Sequence, residues 1–225
     1  MARVCVFDVN ETLLDLRSLD PHFEEVFGDD AGVRRTWFLQ LLQSAFVATI
    51  TGAYSDFGTV GAAALEMVAE REGVELSEEN KQKILGGMRE LTPHPEVAES
   101  LERLRDAGLR LATLTNSTQQ VAEAQMENCG LQSYFEQILS ADTVRRLKPA
   151  PEPYRMAAER LGVEVKGVRL VAAHAWDVAG ALRAGCAAAF IARPGMVLDP
   201  LVERPDVVGV DLREVVDRIL EAETG

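Results

Sequence analysis

Long apolar runs are missing from this chain. The N-terminal one, Val4-Cys5-Val6-Phe7, is too brief for a secretory signal, and none approaches the roughly 20 residues of a membrane span. A cytoplasmic location with no membrane partner is the expectation. Cysteine is scarce as well. Cys5, Cys129 and Cys186 form no C-x-x-C and lie near no histidine pair, so they read as reduced, buried thiols and not as a disulfide frame or a metal site. Positive charge is the third shortage, with 23 Lys and Arg against 36 Asp and Glu and a net charge of −13. Such a chain repels nucleic acid and anionic membranes unless a basic patch intervenes. The only basic clusters, Arg34-Arg35 and Arg145-Arg146, are pairs of the kind that solvent or a carboxylate neutralises.

What is present suits a globular α/β protein: 225 residues, 47% of them hydrophobic. Strand-forming runs occur at Val4–Phe7, Leu109–Leu114, Ile138-Leu139, Arg169–Ala173, Ala188–Ile191 and Val207–Val210. They do not alternate, which implies strands covered on both faces. Helical periodicity separates them at Val97, Leu101 and Leu104, at Tyr154, Ala157, Ala158 and Leu161, and at Leu212, Val215, Val216, Ile219 and Leu220. The alternation predicts a doubly wound parallel sheet, a Rossmann-like core built from residues 1–14 and 93–225.

Residues 15–92 break the alternation and carry only helical patterns. Phe38, Leu41, Leu42 and Ala45 share one face; Val60, Ala63, Ala64, Met67 and Val68 a second; Ile84, Met88 and Leu91 a third. Ser77 before Glu78-Glu79 reads as a helix start, and Thr92-Pro93-His94-Pro95 as the linker back. A helical cap inserted after the first strand would lie over the carboxyl ends of the sheet, where open α/β folds bind ligands.

The chemistry-bearing residues collect at those ends. Asp8 follows the first strand, Thr115-Asn116-Ser117 close the second, Lys148-Pro149 follow the third, and His174-Ala175-Trp176-Asp177 follow the fourth. One crevice then holds a carboxylate, hydroxyl and amide donors, an ammonium and a second acid. This set resembles the haloacid dehalogenase superfamily, with its first-strand D-x-x-x-T, second-strand Thr or Ser, lysine before proline and fourth-strand acid. The helical insertion is similar to the cap of the 2-haloacid dehalogenase subgroup (type II).

The resemblance implies a hydrolase acting on a small 2-substituted carboxylic acid, with halide the leading leaving group, no cofactor, no metal and a homodimer. It implies Asp8 as nucleophile and Thr12, Asn116, Lys148, Tyr154, Trp176 and Asp177 as site residues, with Val9, Asn10, Phe38 and Thr115 on the substrate side. The phosphatase branch places an acid two residues past the nucleophile to protonate its leaving group, and here that position is Asn10. Phosphate hydrolysis is therefore an alternative reading, as are carbon–nitrogen hydrolysis and an idle binding protein. Four departures touch substrate and water handling: Phe38 stands where the subgroup has a cap arginine, Asn10 where it has a first-loop tyrosine, and Ala172 and His174 replace a serine and an asparagine. His174, oriented by Glu11 or Asp177, is expected to act as general base in place of the lost pair. Thr12 as a helix cap, Tyr154 as core, Trp176 and Phe38 as packing and Glu11 as a solvated loop acid are the structural alternatives.

Overall fold

In the computed structural model, residues 4–28 and 31–224 are described. Residues 1–3 and 225 of the expected core and 29–30 of the expected cap lie outside them. The chain runs β1 (Val4–Phe7), β2 (Leu14–Asp15), α1 (Asp20–Phe27), α2 (Ala31–Thr51), α3 (Phe57–Glu72), α4 (Glu78–Gly87), β3 (Thr92–Pro93), α5 (Val97–Asp106) and β4 (Arg110–Thr115). It continues through α6 (Gln119–Asn128), β5 (Gln137–Ser140), α7 (Pro151–Arg160), β6 (Val168–Ala172), α8 (Ala175–Ala184), β7 (Ala187–Ile191), β8 (Val207–Gly209) and α9 (Leu212–Thr224).

Six strands form one parallel sheet in the order β5-β4-β1-β6-β7-β8. The strands lack alternation because both faces are buried. Cys5 and Phe7 of β1 join an apolar cluster with Leu101 of α5 and Val215 of α9. Val4 and Val6 point the other way, into a cluster with Ala157 of α7 and Val178 of α8. Val210 lies past the end of β8 and is exposed.

The helices between β2 and β3 do not form a detached lid. Leu19, Phe23, Trp37, Leu41 and Leu65 belong to the same apolar cluster as Phe7 and Leu101, so the two parts share continuous packing. The Trp37 indole N–H donates to Gly61 O at 2.9 Å, fastening α2 to α3. The helix stripes differ from expectation in one place. On α3 the buried positions are Phe57, Val60, Gly61, Ala64, Leu65, Val68 and Ala69, whereas Ala63 and Met67 face solvent. The expected return linker contains a short strand: Thr92-Pro93 pairs antiparallel with Leu14-Asp15, so both chain crossings run through one two-stranded ribbon. Ser77 does cap α4, accepting the Asn80 N–H.

Candidate active site

Asp8 follows β1, the strand flanked by β4 and β6, and its N–H extends the ladder by donating to Val171 O at 3.0 Å. That register aims its carboxylate at the ends of both neighbours. The Thr12 hydroxyl donates to Asp8 Oδ2 at 2.6 Å and accepts the Ala173 N–H at 3.0 Å. Lys148, fully buried, spends its ammonium hydrogens on Asp8 Oδ1 at 2.9 Å, Asp177 Oδ2 at 2.6 Å and Leu114 O at 2.7 Å. The Tyr154 hydroxyl donates to Asp177 Oδ1 at 2.5 Å.

The electrostatics follow from that chain of contacts. Burial alone would raise the Asp8 carboxyl, but the Lys148 charge and donors from His174 and Thr12 hold it well below the usual carboxylate range. Burial also opposes the charge on Lys148, and Asp177 and Asp8 more than offset it, so its ammonium is strengthened. Burial, with Asp177 beside it, pushes the Tyr154 phenol well above its ordinary value and keeps it a neutral donor.

His174 sits between two carboxylates. Its Nδ1 lies 3.3 Å from Asp8 Oδ2 and its Nε2 3.0 Å from Glu11 Oε2. Burial works against a charge on the ring, but hydrogen bonds to Asp8 and Glu11, and their charges, raise its pKa to about 9. Glu11 reaches the imidazole from a left-handed backbone, φ 61°, a conformation costly for a residue with a β-carbon. Its N–H is held there by Leu14 O at 2.7 Å. Asp177 takes no part in orienting the ring, because its oxygens are committed to Lys148 and Tyr154.

The Asp8 carboxylate opens on a small chamber of about 10 Å³, walled by Phe38 and Leu42 of α2, Phe57 of α3, and Asn10, Thr115, Asn116, His174 and Trp176. Across the wall made by Phe38, Leu42, His174 and Trp176 lies an outer cleft of about 430 Å³, bordered by Glu11, Arg35 and Arg193 among others. His174 stacks on Trp176, ring centroids 5.2 Å apart, and Phe38 approaches it to 6.0 Å. Phe38 is therefore both cap core and chamber wall. The Trp176 indole N–H is buried without a hydrogen-bond partner among the described residues.

Three expected substrate contacts are committed elsewhere. Asn116 accepts the Lys148 N–H at 2.8 Å and donates to Lys148 O at 3.3 Å, so its amide clamps that backbone as well as facing the chamber. Tyr154 is buried beneath Asp177 and does not line the chamber. Val9 turns its side chain into the core, while its carbonyl accepts the N–H groups of Leu13 and Leu14. Asn10 lines the chamber with its amide oxygen held by Gln125 at 3.0 Å.

Sequence reasoning missed Leu42 and Phe57 as walls, and also a brace. Arg193 donates to Thr12 O at 2.9 Å and 2.7 Å while pairing with Glu96 at 2.9 Å, fixing the loop that carries Thr12. Asp56, which caps α3 by accepting the Thr59 N–H, is a sequence signal that would have pointed to Phe57.

Comparison with known proteins adds a lineage to this geometry. The family profile of haloacid dehalogenase-like hydrolases matches residues 2–185. An (S)-2-haloacid dehalogenase 4A of Burkholderia cepacia is 31% identical over 86% of this chain and 84% of its own. The (S)-2-haloacid dehalogenase of Pseudomonas sp. strain YL is 29% identical, covering 94% of this chain and 91% of its own. The structure of L-2-haloacid dehalogenase from Xanthobacter autotrophicus, with chloropropionic acid covalently bound, superposes with a TM-score of 0.89 at 26% identity, covering 97% of this chain and 98% of the other. With the matching profile spanning most of its length, this chain belongs to the haloacid dehalogenase-like hydrolases.

Proposed function

We propose that the chain hydrolyses small 2-haloacids, Asp8 displacing halide to form an ester that water then cleaves. The observation that carries this reading is the Asp8 carboxylate itself, kept ionised by Lys148, Thr12 and His174 at the mouth of an otherwise largely apolar chamber. A desolvated, oriented carboxylate is a competent nucleophile toward carbon, and halide departs without protonation. Trp176 Nε1, the donor without a partner among the described residues, replaces the absent cap guanidinium beside the leaving group, assisted by the one Asn116 Nδ2 hydrogen that Lys148 O does not take. His174 and Glu11 activate water for the second step, and Thr115 and Asn10 shape the substrate side.

A chamber of about 10 Å³ holds roughly one water. A haloacid enters only when α2 moves Phe38 and Leu42 aside, so the helices of residues 15–92 act as a cap. On α2, Leu39, Val47 and Ile50 lie exposed within one arc, apolar surface that suits a second copy of the chain; sedimentation tests that homodimer. Among the described residues no helix is long and apolar enough to cross a membrane, and a cytoplasmic setting belongs to the same proposal.

The donor set does not suit a hard divalent cation, which wants six or more oxygen ligands. The Lys148 ammonium stands between Asp8 and Asp177, the nearby His174 ring turns its nitrogens to Asp8 and Glu11, and among the described residues no three histidine, cysteine or acidic side chains are grouped to hold a metal ion. The test is a single turnover of (S)-2-chloropropionate in heavy-oxygen water with chelator present. Label should enter Asp8 before product, and Asp8→Asn should release no chloride. Label appearing first in product, or turnover of p-nitrophenyl phosphate that depends on Mg²⁺, overturns the reading.

A further inference from the structure

We propose that His174 is doubly protonated while Asp8 is a free carboxylate, sheds one proton when Asp8 becomes an ester, and only then serves as base for the hydrolytic water. The inference rests on the ester chemistry proposed above and assigns its proton inventory.

The geometry favours the charged ring at rest. Each imidazole nitrogen faces a carboxylate oxygen, at 3.3 Å and 3.0 Å. A neutral ring has one N–H, so one of its nitrogens would point a lone pair at an anionic oxygen in a buried site. With both nitrogens protonated, both contacts are charge-assisted hydrogen bonds. The raised pKa of the ring agrees with this state.

Alkylation removes the condition that holds the proton. Asp8 Oδ attacks carbon, the carbon–halogen bond breaks, and halide carries the charge away; Asp8 passes from −1 to neutral. His174 then keeps Glu11 but loses its other anion, while the Lys148 ammonium, no longer opposed by Asp8, repels the imidazolium. The proton leaves through Glu11, whose side chain is 20% exposed and borders the outer cleft. The neutral ring next accepts a proton from water as hydroxide adds to the Asp8 ester carbon. That proton goes to the departing alkoxide when the tetrahedral adduct collapses, and the second proton of the water, left on the regenerated Asp8 carboxyl, passes to His174 Nδ1 and restores the resting ion pair. One halide and one proton leave per turnover, and the hydroxy acid follows.

The other charged groups nearby do not change the sign. Lys148 and Asp177 lie behind Asp8 in a mutual pair. Asp15, Arg17, Arg34, Arg35, His94 and Arg193 border the outer cleft. Arg17, Arg34 and Arg193 pair with Asp15, Asp20 and Glu96 respectively.

Histidine-selective NMR tests the inference without substrate, since the chain has three histidines and His174→Gln assigns the resonance. In the wild type, His174 should remain imidazolium through neutral pH and titrate at about 9. In Asp8→Asn, an uncharged mimic of the ester, its proton affinity should fall at least tenfold. Glu11→Gln, which leaves Asp8 in place, should lower it as well and covers the case in which Asp8→Asn does not fold. A His174 that is neutral at pH 7 in the wild type, or that titrates unchanged in the folded variants, overturns the proposal. Rapid mixing with (S)-2-bromopropionate in weak buffer gives the kinetic counterpart. Proton release should coincide with bromide, and a proton arriving only with the hydroxy acid overturns the proposal while leaving the ester mechanism intact. Absence of any bromide release would instead strike the reading on which it rests.

Discussion

The side chain of Asn116 straddles the backbone of Lys148, accepting its N–H at 2.8 Å and donating to its carbonyl at 3.3 Å. This clamp fixes where the ammonium emerges, and therefore where Asp8 and Asp177 are tied together.

Removing the clamp should cost both stability and rate. Asn116→Ala leaves two buried backbone groups without their partner, each worth about 1–3 kcal/mol when unsatisfied. The midpoint of urea unfolding should fall accordingly, and halide release should drop more steeply than stability because Lys148 shifts relative to Asp8. A variant with a normal rate at saturating substrate would show that the clamp does not position the lysine.

Gly180 should tolerate no side chain. A β-carbon there would stand 2.5 Å from the Tyr154 hydroxyl oxygen, 2.7 Å from Pro149 Cβ and 2.9 Å from Pro149 O. Overpacking of this kind costs about 1–3 kcal/mol. Calorimetry of Gly180→Ala should show a lower Tm, and adding Tyr154→Phe should recover only part of it, because the Pro149 contacts remain. Full recovery would mean that the phenol oxygen alone makes the close approach.

The stability of the fold should carry a signature of His174 at alkaline pH. Its folded pKa is raised from 6.5 to about 9, so the native state binds this proton more tightly than the unfolded chain does. The resulting stabilisation is complete below the unfolded value and is lost as pH rises through the folded one. Unfolding free energies of the wild type and His174→Gln should therefore converge between about pH 6 and pH 10. A constant difference across that range would contradict the charged ring.

Replacing Phe38 tests how far halide release depends on the aromatic walls of the chamber. A charge-assisted hydrogen bond is worth about 1.5–3 kcal/mol. Phe38→Arg should thus raise chloride release by about one to two powers of ten if the guanidinium reaches the chamber. Some loss of Tm should accompany the gain, since Phe38 is only 4% exposed and packs against Trp37. Lost stability with no kinetic gain would sink the role of this position in the chamber.

Much of the core was legible because its signals are local. Val4–Phe7 reads as a strand covered on both faces from four residues, and Asp8 then falls at the strand end without further information. The less legible parts depend on partners distant in the chain. Helix α6, with Gln119, Gln120, Glu123, Gln125 and Glu127, has no long apolar stripe and is placed by Ala122 and Met126 against the sheet. The ribbon of β2 and β3 has two residues on each side, too few to show a period. Whether Asn116 donates to substrate or grips Lys148 depends on a segment 32 residues away, and amide chemistry alone permits both. For the same reason the choice between Glu11 and Asp177 as the partner of His174 needed Tyr154 and Lys148 to be placed first.

The paired crossings at Leu14-Asp15 and Thr92-Pro93 give this architecture a kind of modularity. Because the outgoing and returning chains are already hydrogen-bonded side by side, the ends of the intervening segment are fixed whatever it contains. Closing a longer or shorter helical segment then adds little entropic cost, roughly 0.6 kcal/mol for each doubling of length. Exchange of everything between Leu16 and Leu91 as one cassette would leave Asp8, Lys148 and Asp177 on their strand ends, while Phe38, Leu42 and Phe57 would change together. Such an exchange should spare the nucleophile only where the new segment also rebuilds the packing that Leu19, Phe23 and Trp37 share with Phe7 and Leu101.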